Sequence, residues 1–151
     1  MTTRRVVLGY DGSTGARAAV EWCIEHARLL DAEVVVVGVV DVVSMAGLAP
    51  AASPSVSLSF DSVVSAMVQA VTDELTEAVA ALEAADVSCR TVVARGNPAD
   101  SLDRVAHEES AELVVVGRRG KGGFVEMLLG SVPHTLAHHA TVPLVIVPAD
   151  D

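Results

Sequence analysis

The chain has 151 residues, a formal net charge of −10 and 51% hydrophobic residues, with aromatics only 3% of the total. So acidic a protein lacks the basic surface that non-specific binding to nucleic acid or to anionic membranes requires. Its length suits one packed domain over residues 1–151, and no apolar run approaches the roughly 20 residues that span a bilayer.

Residues 4–10, RRVVLGY, read as a buried strand closed by a turn at Asp11-Gly12-Ser13. The apolar stretch behind Arg4 and Arg5 is broken at once by residues 9–12. It therefore makes no signal peptide, and the expected location is cytoplasmic. Ser13 or Thr14 can cap a following helix, Thr14–Leu30, whose apolar residues recur at helical spacing up to Asp31. Residues 33–40, EVVVVGVV, are apolar on both faces, as in the middle of a parallel sheet covered by helices on both sides. Residues 41–59 carry Gly47, Pro50, Pro54 and several serines, and read as a long functional or mobile loop.

A second helix is expected over 61–85, with Val64, Met67, Val71, Leu75, Ala78 and Leu82 on one stripe. Residues 87–94 alternate polar and apolar, as an edge strand would. Asn97 caps a third helix with Pro98 in its first position, running to Glu108. Residues 112–116, ELVVV, form a fourth strand. Ser131 is expected to cap a short helix to His139, and residues 143–148, PLVIVP, form a last strand. Cys23 falls on a helix stripe and Cys89 in a strand, both expected as buried free thiols. Strict alternation of strand and helix implies an α/β doubly wound parallel sheet. The last strand, between Pro143 and Pro148, bears four apolar residues in a row and no charge. Left at a sheet edge it needs a cover, and symmetric pairing with a second copy would supply one.

The chemistry concentrates between the fourth strand and the last helix. Five of the chain's eleven glycines lie at 117, 120, 122, 123 and 130. Such clustering serves tight turns or close approach of a ligand to the backbone. Backbone N–H groups leading into a helix N-terminus make an anion site. Arg118, Arg119 and Lys121 add positive charge to an otherwise acidic chain. In open α/β sheets, ligands bind where the strand order reverses. If the first and fourth strands are neighbours, Tyr10, Asp11, Gly12 and Ser13 face this loop across that crevice. Neither a GxxxxGK[ST] loop nor a GxGxxG fingerprint is present, so the phosphate reading rests on the loop itself.

The spacing Gly117-x-x-Gly120, nine residues, then Gly130-Ser131 resembles the ATP-binding motif of the universal stress protein family. The resemblance extends over essentially the whole chain, through the Asp11-Gly12-Ser13 turn, the 113–117 strand and the closing segment 130–148. It implies five parallel strands in the order 3-2-1-4-5 with helices on both faces. That is a Rossmann-like arrangement of the adenine nucleotide alpha-hydrolase kind. It also implies a homodimer through the 143–148 strand and ATP in the crevice. By that analogy Asp11 and Val39 lie near the adenosine, and Gly117 and Gly120 line ribose and phosphates. Gly130, Ser131 and Val132 hold the phosphates, with Tyr10, Gly12, Ser13, Val116 and Arg119 completing the site. Asp11 can also help hold Mg²⁺ with the phosphates.

One position departs from the family pattern. Where many ATP-binding members carry Ser or Thr, this chain has Pro133, which offers neither hydroxyl nor N–H. The expectation is a weaker hold on a terminal phosphate, with AMP, ADP or cyclic AMP competing. The function expected is a nucleotide-dependent regulatory switch in stress response, acting on an unidentified protein partner. A slow ATPase and a partner-binding module with a vestigial pocket are the alternatives. Asp100, Asp103 and His107 share one helix and read as surface residues with an i,i+4 pair, not as catalysts. His134 and His138 share a helix face, but two ligands are too few for a tetrahedral metal site.

Overall fold

The computed structural model describes residues 2–42, 54–121 and 128–149. Five strands form one parallel sheet: β1 (Arg4–Gly9), β2 (Ala32–Val40), β3 (Cys89–Arg95), β4 (Leu113–Gly117) and β5 (Leu144–Val147). Their order across the sheet is β3-β2-β1-β4-β5. Four helices complete the described fold: α1 (Thr14–Leu30), α2 (Pro54–Ala84), α3 (Pro98–Glu108) and α4 (Ser131–His139).

The valine runs explain the layering. Successive strand side chains point to opposite faces. Val34 and Val36 therefore join Val6, Leu8 and Val115 under α1 and α2, with Ala19, Cys23, Leu75 and Leu82. Val35 and Val37 join Val7, Val114 and Val116 on the other face, against Leu102, Ala106 and Leu136 of α3 and α4. Strands buried on both faces need helices on both sides. Each fully buried valine or leucine is stabilising by roughly 1.5–3 kcal/mol.

The helix boundaries follow local chemistry. The Ser13 hydroxyl accepts the Ala16 N–H at 3.1 Å, which fixes the start of α1. Asp31, at φ 51°, closes α1 and donates its N–H to the carbonyls of Ala27 and Arg28. Asn97 Oδ1 accepts the Asp100 N–H at 3.1 Å and Pro98 follows in the first turn of α3.

Three expectations are corrected. Residues 54–59 are helical, so α2 begins at Pro54 and not at 61. Proline reads as a loop residue in sequence, yet its fixed φ and missing N–H suit a first helical turn. The remainder of the expected loop, residues 43–53, lies outside the described residues. The N-cap of α4 is Gly130, with no side-chain cap, and Ser131 is the first helical residue. Cys23 is buried and free as expected, whereas the free Cys89 is only half-buried, because β3 is an edge strand paired on one side.

Candidate functional site

The chain leaves β1 for β2 and β3 on one side, and later adds β4 and β5 on the other. The strand order thus reverses between β1 and β4, where α/β sheets open a crevice beyond their carboxyl ends. A cavity of about 550 Å³ lies there. Its floor is Gly9 and Val116 at the ends of β1 and β4, with Val37 and Val39 of β2. Leu102 of α3 lies beneath, 2.9 Å from where a Gly9 Cβ would stand.

One wall is the turn after β1. Tyr10 donates its N–H to the Val37 carbonyl at 2.9 Å, which holds the turn against β2. The Asp11 carboxylate ties two segments together: Oδ1 accepts the Ser13 N–H and Oδ2 the Lys121 N–H, each at 2.9 Å. The second bond spans 110 residues of sequence and fastens the glycine segment to the turn. Gly120 permits this approach, since a Cβ there would lie 2.6 Å from Asp11 Oδ2.

Closer still is the approach of β4 to the start of α1. A Cβ on Gly15 would stand 2.1 Å from the Arg119 carbonyl oxygen, and one on Gly117 would stand 2.3 Å from the Gly15 carbonyl carbon. The two glycines face each other with no room for side chains. Opposite them, the Gly130 N–H donates to the Arg118 carbonyl at 2.8 Å, bringing the first turn of α4 to the rim. With Gly130 as cap, the N–H groups of Ser131 and Val132 have no intrahelical acceptor and are available to an anion. Pro133, buried in that turn, has no N–H to offer.

Of the residues expected at the site, Tyr10, Asp11, Ser13, Val39, Val116, Gly117, Arg119, Gly120, Gly130, Ser131 and Val132 all line the cavity. Gly12 does not. It sits at φ 77° in the turn itself, packed against Glu74 and Lys121. Sequence reasoning did not place Val71, Glu74, Pro98 or Leu102 there, nor the close approach of Gly15 to Gly117 beside it. Gly15 alone carried a signal, as a glycine in the first turn of an otherwise regular helix. Val71 and Glu74 arrive only through the packing of α2 over β2, where Gly38 admits Val71 and Leu75. Lys121, one of the three basic residues expected to add positive charge to the loop, forms an ion pair with Glu74. Burial raises the Tyr10 hydroxyl pKa, and the negative charge of Glu77 raises it further. Glu77 itself is held by Arg17, Nε to Oε1 at 2.9 Å.

Asp103 and His107 do not form the simple pair expected. Asp103 accepts both the N–H and the hydroxyl of Thr141, and His107 Nδ1 lies 3.2 Å from that hydroxyl. Asp103 therefore orients Thr141, not the imidazole, as a clasp from α3 to the segment before β5. The His134 and His138 rings lie 4.8 Å apart. Among the described residues no three His, Cys, Asp or Glu side chains gather as a metal site would need, and no helix is long and apolar enough to cross a membrane.

Comparison with known proteins covers both sequence and fold. The model of the universal stress protein family matches residues 2–148. Universal stress protein MJ0531 of Methanocaldococcus jannaschii is 30% identical over 144 residues, covering 95% of this chain and 81% of that protein. Universal stress protein YxiE of Bacillus subtilis is 43% identical over 61 residues, 40% of this chain and 41% of that one. The chain thus matches less than half the length of some relatives; a Mycolicibacterium smegmatis universal stress protein, 30% identical over 97% of this chain, is covered over only 48% of its own. Among solved structures, hypothetical protein MJ0577 superposes with a TM-score of 0.85 at 18% identity, over 100% of this chain and 99% of that one. A universal stress protein in complex with cAMP superposes at 0.65 with 26% identity, over 97% and 98% of the two chains. The family match runs from the first strand to the last, and a relative of comparable length agrees over nearly all of it; the chain belongs to the universal stress protein family.

Proposed function

We propose that this chain binds an adenine nucleotide, ATP in the first instance, in the cavity between β1 and β4, and acts as a nucleotide-dependent regulator. The observation that carries this reading is the cavity's composition. An apolar floor of Val37, Val39, Val71 and Leu102 meets a rim of backbone N–H groups at Ser131 and Val132 with Arg119 beside it. Its volume of about 550 Å³ falls within the range of small-molecule and cofactor sites. A base can pack on the valines while phosphates take the α4 N-terminus, whose dipole favours anions by about 0.3–1 kcal/mol. The family membership and the cAMP complex of a 26% identical relative support a nucleotide of this class.

Regulation suits the site better than catalysis does. Both Asp11 oxygens already accept backbone N–H groups, so this carboxylate holds the turn and is not poised as a general base. Mg²⁺, where it accompanies the phosphates, would meet Asp11 only through lone pairs left over from those bonds. A second copy paired through β5 and a protein partner reading the loop surface complete the proposal, as does a cytoplasmic setting.

Pro133 favours a second reading within the same class. It leaves two free N–H groups in the first turn of α4 where a serine would offer a third and a hydroxyl. AMP or a cyclic monophosphate then competes with ATP. Calorimetric titration with ATP, ADP, AMP and cyclic AMP tests both readings, together with identification of any nucleotide that co-purifies. Pro133→Ser is expected to improve ATP about three- to tenfold, as one added hydrogen bond of ordinary net strength would. No binding of any of the four discards the function. A strong ATP preference that Pro133→Ser leaves unchanged discards the second reading.

A further inference from the structure

Among the described residues the charged ones lining the cavity are Asp11, Glu74, Arg119 and Lys121, two of each sign. Asp11 is engaged by two backbone N–H groups. Glu74 is different. It projects from α2, one helical turn beyond the cavity-lining Val71, and its only described partner is the Lys121 ammonium. The pair lies directly over Gly12, where a Cβ would stand 3.4 Å from Glu74 Cδ and 3.6 Å from Lys121 Nζ. The backbone of Lys121 is meanwhile pinned to the rim by Asp11. The cation is thus fixed beside the cavity mouth while a carboxylate holds its charge.

As a structural tie this pair is weak. Its side chains are 32% and 58% exposed, and half-exposed ion pairs contribute little to stability. As a charge beside an anion site it matters more. Each added negative charge on a ligand must either displace Glu74 from Lys121 or approach an uncompensated carboxylate. Resting on the nucleotide reading above, we propose that Glu74 sets the charge class of ligand the cavity accepts: it competes with the ligand's phosphates for Lys121, and so favours phosphates of low charge over a triphosphate.

The test is Glu74→Gln, which keeps shape and removes charge. Affinities are measured for cyclic AMP, AMP, ATP and inorganic tripolyphosphate, at low and high salt, in the wild-type and Lys121→Met backgrounds. Glu74→Gln is expected to tighten ATP and tripolyphosphate about three- to fivefold and cyclic AMP less than twofold. The gain shrinks at high salt, as screening requires, and shrinks again in the Lys121→Met background, where the cation competed for is gone. A gain equal for all nucleotides, a loss, or a gain undiminished in Lys121→Met overturns the inference while leaving nucleotide binding standing. Tripolyphosphate binding that rises on Glu74→Gln, with no nucleotide bound, supports the inference and discards the nucleotide. Binding of no probe by either protein overturns both.

Discussion

Gly15 and Gly117 show how single residues set this site. Their backbones meet so closely that the carbonyl of Arg119 occupies the place of a Gly15 Cβ. Glycine within a helix ordinarily costs about 1 kcal/mol relative to alanine, so Gly15→Ala would be expected to stabilise an isolated helix. Here the opposite is expected. Gly15→Ala should destabilise the protein by about 1–3 kcal/mol in urea titration, because the segment following β4 at Arg119 and the start of α1 must separate. A neutral or stabilising result would show that the approach is slack. Cys23 gives a second test at this scale. Burial pushes its thiol from an ordinary 9.0 up to about 12. The folded state therefore keeps a proton that the unfolded chain releases above pH 9, and stability from this group is intact below that pH. It falls as pH rises towards 12, by about 1.4 kcal/mol per pH unit. Cys23→Ala should flatten the alkaline slope of urea-measured stability by about that amount. In thiol labelling of the folded protein at neutral pH, Cys89 should react well before Cys23.

At the scale of elements, caps and crossovers have separate consequences. The Asn97 cap lies at the start of α3, and its side chain points at Asp100 and not into the cavity. Asn97→Ala should cost about 1 kcal/mol of stability and leave nucleotide affinity unchanged. Ser13 caps α1 in the same manner but lines the cavity. Ser13→Ala should cost a similar amount and also weaken nucleotide binding, measured by calorimetry. If both caps changed affinity equally, the effect would belong to general stability and not to the site. The placement of α2 is the other element-scale result. Its register on Gly38 is what brings Val71 and Glu74 to the cavity, and thirty-odd residues of helix sequence gave no local sign of it.

For the whole molecule, assembly turns on the β5 edge. Among the described strands β5 pairs with β4 alone, and Leu144, Val145 and Ile146 are half-buried in the single chain. An apolar edge without charge invites a partner. The proposed homodimer through β5 predicts that Val145→Lys yields a monomer by light scattering while the folded fraction stays high. An unchanged mass would place the contact elsewhere. The cavity opens at the β1–β4 junction, one strand away, so the variant also reports whether the proposed site needs its neighbour.

Much of the architecture was legible in the residues alone. Continuous valine runs, Ala-rich helical stripes, the Ser13 and Asn97 caps and the Asp11-Gly12-Ser13 turn are local signals, and they suffice for an alternating α/β chain. The glycine spacing at 117, 120 and 130 marked the loop, because a backbone that must approach something closely excludes side chains whatever the rest of the fold does. The errors were of another kind. Pro54 looked like a loop and opens a helix; Ser131 looked like a cap and follows one. Both were judged from residue preference, where either conformation is locally permitted and packing chooses. What touches what across the crevice was beyond local reading altogether. Asp11 reaches Lys121 across 110 residues and Lys121 reaches Glu74 across 47. Such contacts follow from strand order and from the angle at which α2 crosses the sheet. Sequence specifies periodicity and turn chemistry directly, but it specifies long-range neighbours only through the one packing that buries both sheet faces at once.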